Sequence, residues 1–362
     1  SAGITYGTVE ALNISLGSGD DTVTVASTHA NNTVLNTLGG GDTVNVQTVA
    51  GVTVVNTGAG ADTTNVQKID AKTTVNAGDD ADTINVGSKA PDVNGNVNGI
   101  SASLNVYGEA GSDTVNVDDT SDTSGNTGNL TATALTGLGM SAGITYGTVE
   151  DLNISLGSGG DTFTVASTHA NNTVLNTLGG GDTVHIQTVA GVFLVNTGTG
   201  PDTANVRTID ANTTINAGDD DDTINVGNKA PGSHSELKGI SKELVINGQL
   251  GDDTLNIDDR GNTDPATGQI KTRSPTEVTG FEMTGLIRHE TVEAVNLTAG
   301  DAGTTLLIDG TAAYSVTDVW AGDGPDVINV RNTGGAVNLH LQSGDDFVNV
   351  GSEAPGINGT LN

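Results

Sequence analysis

Asn56-Thr57-Gly58-Ala59-Gly60-Ala61-Asp62-Thr63-Thr64-Asn65-Val66 reads as a strand end, a glycine turn closed by an aspartate, and a second short strand. Gly58 and Gly60 accept backbone angles that a side chain would forbid, so the chain can reverse tightly just before Asp62. The phrase recurs along the chain, with its aspartate at Asp21, Asp42, Asp62, Asp82 and Asp113, then Asp161, Asp182, Asp202, Asp222 and Asp253, and later Asp326 and Asp346. The steps are 20 or 21 residues except where an insertion intervenes. Self-similarity at this period, in segments too short to bury a core alone, marks coils that stack on one another. The expected fold is therefore all-β: a parallel β-solenoid, of β-roll or β-helix type, with coils of roughly 20 residues.

Composition agrees with that reading. Aromatic residues are only 2% of the 362, too few for a thick aromatic core. Thr, Val, Asn, Gly and Asp dominate, which suits thin stacked strands, and Gly with β-branched residues interrupts every window in which a helical period could develop. Within a coil, alternation places Leu12, Ile14 and Leu16 on one face, with Thr53, Val55 and Thr57 and then Leu104 and Val106 beneath them. Val23 and Val25, Val44 and Val46, Ile84 and Val86, and Val115 and Val117 form the matching rows of the second strand. The other face of that strand carries Thr43 and Asn45, Thr63 and Asn65, Thr83 and Asn85 as an outward ladder.

A longer period overlies the coil. Residues 1–50 and 141–190 are nearly the same text, so coils group into modules of 140 residues: 1–140, 141–283, and a partial, diverged third over 284–362. The stretches 87–103 and 118–129, rich in turn residues, are expected to bulge from the stack as loops, with 130–150 returning to it as strands. Because the text starts and stops inside modules, the chain is expected to be a portion of a longer array.

Lys and Arg total 12 against 44 Asp and Glu, a formal charge of −32. Nucleic acid and anionic membrane are poor partners for such a chain. No apolar run reaches membrane-spanning length, and without cysteine there is neither a disulfide nor a zinc–thiolate site.

Stacking brings the turn aspartates within about 5 Å of one another, where like charges repel by about 1 kcal/mol in water and by more at a protein surface. Two devices offset this. A hard dication can take carboxylate and carbonyl oxygens from adjacent turns, or each carboxylate can accept hydrogen bonds from turn amides without a metal. Gly58-Ala-Gly-Ala-Asp62, Gly17-Ser-Gly-Asp-Asp21, Gly157-Ser-Gly-Gly-Asp161, Gly198-Thr-Gly-Pro-Asp202 and Gly322-Asp-Gly-Pro-Asp326 resemble the turn portion of the RTX, or hemolysin-type calcium-binding, nonapeptide G-G-x-G-x-D-x-U-x. The resemblance implies a parallel β-roll with calcium along the twelve aspartates named above. It departs from the family in having one motif per coil instead of two, a longer coil, and irregular turns at Gly39-Gly-Gly-Asp42 and Gly78-Asp-Asp-Ala-Asp82, so it implies one metal row. The module also resembles those of very large repetitive extracellular microbial proteins.

Sequons at Asn13, Asn31, Asn129, Asn153, Asn171, Asn212, Asn296 and Asn358 are candidate glycosylation positions if the chain is secreted. Arg288, His289, Glu290 and Trp320 gather in the diverged module, but without a defined nucleophile, base and oxyanion donor they do not constitute an active site, and no enzyme is expected. The functional expectation is an extracellular fibre, sheath or adhesin stalk that associates with itself end to end or laterally. The alternative is a calcium-dependent segment of a large adhesin that binds ice or carbohydrate, with surface polysaccharide or glycans as partners.

Overall fold

The computed structural model describes residues 4–272 and 275–351. Every regular element among them is a strand, and the chain divides into two compact units, residues 1–158 with 171–175, and residues 159–170 with 176–362. Each unit is an all-β parallel solenoid in which a coil contributes one strand to each of two sheets.

In the first unit, one sheet stacks Ala11–Ser15, Asn32–Asn36, Thr53–Ala59, Thr73–Asp79 and Leu104–Ala110 in parallel. The other stacks Thr22–Val25, Thr43–Val46, Thr63–Val66, Thr83–Val86, Thr114–Asp118 and Asp151–Ser155. Register follows the repeat: Val44 pairs with Thr64 and Thr64 with Ile84, while Val55 pairs with Val75 and Val75 with Val106. The alternation read from the sequence holds, with Val44, Val46, Val55, Ile84, Val86, Leu104, Val106, Val115 and Val117 buried. Each such side chain contributes about 1.5–3 kcal/mol by leaving water, so the thin core draws its stability from repetition. Residues 87–103 form turns without a strand, as expected, but Ile100 is buried and bridges Ile69, and of the expected loop 118–129 Asp118 and residues 127–129 belong to strands.

Parallel pairing is interrupted once in this unit. Thr127–Thr131 and Ala134–Gly137 form an antiparallel hairpin, Ala134–Gly137 pairs antiparallel with Ile144–Gly147, and that strand rejoins the parallel stack against Leu104–Ala110. The Tyr146 hydroxyl donates to the Thr131 carbonyl at 2.6 Å across the insertion. One consequence departs from a simple multiple of the coil. Ala11–Ser15 lies in the first sheet, whereas its copy Asp151–Ser155 pairs with Thr114–Asp118 in the second. The text repeats every 140 residues, but the thirteen strands from Ala11–Ser15 through Ile144–Gly147 are an odd number, so the copy that begins at Asp151–Ser155 enters half a coil out of phase.

In the second unit, one sheet stacks Thr162–Val165, Thr183–Ile186, Thr203–Val206, Thr223–Val226, Thr254–Asp258, Ala294–Thr298, Val316–Trp320 and Ala336–His340, all parallel. The other holds Phe193–Asn196, Thr213–Asp219, Glu243–Leu250 and Leu286–Glu290, then Thr276–Gly280 antiparallel to both its neighbours, then Ala266–Thr272, Thr304–Asp309, Val327–Asn332 and Phe347–Val350. Phe163, Phe193 and Phe281 are the largest side chains buried in this unit.

Candidate functional site

The turn aspartates lie inside the wall of the solenoid instead of projecting from its edge. Among those the sequence singled out, Asp42, Asp62, Asp82, Asp113, Asp161, Asp182, Asp202, Asp222, Asp253 and Asp326 are buried, and Asp21 and Asp346 are half-buried. From Asp42 to Asp113 and from Asp182 to Asp253 the side chain points along the stack, so that Oδ1 accepts the backbone N–H of the aspartate one coil earlier. In the first unit Asp21 N donates to Asp42, Asp42 N to Asp62, Asp62 N to Asp82 and Asp82 N to Asp113, at 2.6–2.9 Å. In the second, Asp161 N donates to Asp182, Asp182 N to Asp202, Asp202 N to Asp222 and Asp222 N to Asp253, at 2.7–2.9 Å.

Two glutamates complete these columns. The Asp113 amide donates to Glu150 Oε2 and the Asp253 amide to Glu293 Oε2, each at 2.9 Å. The phrases Val149-Glu150 and Val292-Glu293 stand just before the strands that follow each hairpin, and their longer side chains reach the same position without a glycine turn. Sequence reasoning missed them because the motif it followed ends in Asp.

The carboxylates do not form the single row that the resemblance implies. In the second unit the column from Asp161 to Glu293 precedes strands of one sheet. Thr304 N donates to Asp326 and Asp326 N to Asp346, at the start of strands of the other sheet and hence at the opposite edge. The strand Ala294–Thr298 makes the half-coil shift, following Glu293 at one edge and leading to Thr304 at the other. Thr304 stands at the turn position where the other coils of the column carry an aspartate.

Electrostatics follow from burial. Desolvation pushes Asp82, Asp202 and Asp222 up to about 7, with neighbouring column carboxylates adding to the rise and the accepted amide opposing it. Asp253 and Asp326 rise to about 6 for the same first cause. The second oxygen, Oδ2, of Asp42, Asp62, Asp82, Asp113, Asp202, Asp222 and Asp253 has no hydrogen-bond partner among the described residues. Beside Asp62 and Asp202 stand the hydroxyls of Thr57 and Thr197. Each hydroxyl has one proton and gives it to a carbonyl one coil on, Ala77 and Ala217 respectively. When that proton turns to the carboxyl instead, it favours the charged form and opposes the rise.

Calcium takes six to eight oxygens. A column supplies one uncommitted Oδ2 per coil, and no three His, Asp or Glu side chains gather as a ligand group among the described residues. Turn carbonyls are already accepting amides from neighbouring coils, as Leu38 does from Ala59, Ala59 from Gly40 and Gly198 from Asp219. This donor set does not fit a calcium ion. The second carboxylates Asp20, Asp79, Asp80, Asp219, Asp220, Asp221, Asp252, Asp323 and Asp345 are exposed.

Asparagine columns run alongside. Asn65 donates to Asn45, Asn85 to Asn65, Asn116 to Asn85 and Asn153 to Asn116 at 2.8–2.9 Å, and Asn225, Asn256 and Asn296 continue the same pattern in the second unit. The sequence pointed to Asn45, Asn65 and Asn85; a further column, Asn36, Asn56 and Asn76 on the facing sheet, it did not. Of the sequons, Asn13, Asn31, Asn171 and Asn212 are exposed and Asn129 is half-buried. Asn153 and Asn296 have Nδ2 committed to a column, and Asn358 lies outside the described residues. Arg288 and His289 do not join Trp320. Arg288 pairs with Glu243 and Glu277 on one sheet, His289 is buried with its pKa pushed down to about 4 by desolvation, and Trp320 stacks on His340 in the other sheet.

The chain matches no family model and no curated protein.

Proposed function

We propose that this chain is a structural segment of an extracellular fibre, sheath or adhesin stalk, with length and resistance as its task. The observation that carries the reading is that consecutive coils repeat the same three bonds: a strand ladder, an aspartate-to-amide bond and an asparagine-to-asparagine bond. Such a unit extends by adding coils, and its stability is a sum of nearest-neighbour terms. Self-association, end to end or side by side, belongs to the same reading, since a parallel sheet can be extended by a further strand at an edge. Electron microscopy of the purified chain is the test: elongated particles or filaments are expected, and compact globules would overturn the reading.

Our reading leaves calcium out of the columns and assigns cations only a screening part at the exposed second carboxylates. Melting curves in calcium and in chelator are expected to coincide once ionic strength is matched; a calcium-specific rise in Tm would restore the RTX-type mechanism. Glycan binding is a second reading, favoured by a single feature: a groove beside Trp320.

A further inference from the structure

The outer face of the second unit carries a groove of about 500 Å³, within the range of small-ligand sites. Its floor is the asparagine column Asn225, Asn256 and Asn296, one residue from each of three consecutive rungs. One wall is the loop 230–235, tied down where the Ser235 amide donates to Asp258 Oδ2 at 3.1 Å. Arg260 stands over the floor, 40% exposed, with Nε 3.6 Å from Asp258 Oδ1. The far end is closed by Trp320, the only tryptophan of the chain.

Trp320 is held in a defined pose. Its rung neighbours are Thr298 on one side and His340 on the other. The His340 ring stacks on it at 4.8 Å between centroids and 11° between planes, covering one face of the indole. The opposite face lies on the side of Thr298, which also lines the groove. An indole face of this kind is an apolar platform with a negative quadrupole, suited to the C–H face of a pyranose ring.

The floor supplies the complementary polar chemistry. Asn256 Nδ2 donates to Asn225 Oδ1 and Asn296 Nδ2 to Asn256 Oδ1, both at 2.8 Å. Each such bond uses one of two amide hydrogens and one of two lone pairs, so Asn256 keeps one donor and one acceptor for a ligand. A sugar hydroxyl both donates and accepts and can satisfy the pair. Three rungs at 4.7–4.9 Å spacing give a floor about 10 Å long, a length that suits a short run of sugar rings. Two aspartates in the groove, Asp258 and Asp301, outnumber its one arginine, and the chain carries −32 overall, which disfavours polyanions.

We propose that this groove binds a neutral glycan, with Trp320 as the stacking platform, the Asn225–Asn256–Asn296 column as the hydroxyl-reading floor and Arg260 as a further donor. The inference gives the glycan reading a place and a ligand class, and it stands independently of whether the chain forms fibres.

The single tryptophan makes the test direct. The full chain is titrated with cellohexaose, xylohexaose, chitohexaose and hexagalacturonate, following indole emission and, in parallel, heat by calorimetry. A saturable change with at least one neutral hexasaccharide is expected. Trp320→Ala should weaken binding about tenfold or more by calorimetry. Arg260→Ala, a change on an exposed side chain, should weaken it with an unaltered circular dichroism spectrum and Tm. Saturation by none of the neutral sugars, or by hexagalacturonate alone, overturns the proposal. Binding that survives both substitutions would leave the chain a glycan binder but remove this groove as the site.

Discussion

Asp202→Asn asks what neutralises the buried columns. Asp202 is 3% exposed, its Oδ1 accepts the Asp182 amide at 2.7 Å, and the charges around it are Asp182, Asp220 and Asp222. Burial first, then Asp182 and Asp220, push it from 3.8 to about 7 against the Asp182 amide and the Thr197 hydroxyl. In the unfolded chain the carboxyl ionises freely above its ordinary value; in the folded chain it keeps its proton until the pH nears 7. The stability from this group is therefore complete below about pH 4 and is lost as pH rises through 7. At about 1.4 kcal/mol per pH unit, the full rise corresponds to about 4 kcal/mol at pH 8. Protonating Asp182 or Asp222 relieves the same repulsion, so one substitution recovers only a share, about 1–2 kcal/mol. Asparagine keeps an oxygen for the Asp182 amide, offers an N–H to Thr197 Oγ1 and carries no charge. Melting followed by far-ultraviolet circular dichroism should show the variant more stable than the parent at about pH 8, with the gap closing as the pH falls towards 4. A variant that melts lower at pH 8 would refute the argument, since that is how a lost calcium ligand or a needed carboxylate would behave.

Two further substitutions probe the stack. Gly78 has φ +116°, and a Cβ there would sit 1.8 Å from the Gly58 carbonyl oxygen of the adjacent coil; Gly78→Ala should cost about 3 kcal/mol or more. Gly19→Ala, where a Cβ meets nothing within 4 Å, is the control, and equal Tm values for the two would count against the close stacking of turns. Asn65 is 1% exposed and both donates to Asn45 and accepts from Asn85. Asn65→Asp keeps the acceptor, loses the donor and buries a charge, for a loss of about 1–3 kcal/mol that grows with pH. An unchanged chemical denaturation midpoint would show the asparagine column to be ornamental.

Much of the coil was legible in the sequence because its physics is local. A glycine reversal followed by an inward Val-x-Val alternation states both the turn and the core face, and Val44, Val46, Ile84 and Val86 are buried as that pattern requires. The direction of the aspartate side chains was not legible. A carboxylate at a turn can face water or the next coil, and the choice depends on an amide 20 or more residues away. The hairpins 127–137 and 266–280 were hidden for another reason. Their Thr, Gly and Ala residues suit strands of either sense, and what makes them antiparallel is a connection too short for a parallel crossover. Glu150 and Glu293 escaped because the same bond is made by a longer side chain on a different turn.

The hairpins bear on how many buried carboxylates can be stacked. In each unit a column runs through five aspartates and closes on a half-buried glutamate, directly after an antiparallel insertion: Asp21 to Glu150 in the first, Asp161 to Glu293 in the second. Every added aspartate raises the proton affinity of its neighbours, as the mutual charge effects among Asp182, Asp202 and Asp222 show. Ending on a half-buried glutamate relieves that accumulation. The strand after that glutamate, Ala294–Thr298 in the second unit, then leads to the opposite edge, where a new column starts from an uncharged Thr304 and runs on to Asp326 and Asp346. The half-coil shift thus lets an acidic turn motif be repeated many times while each buried column stays short.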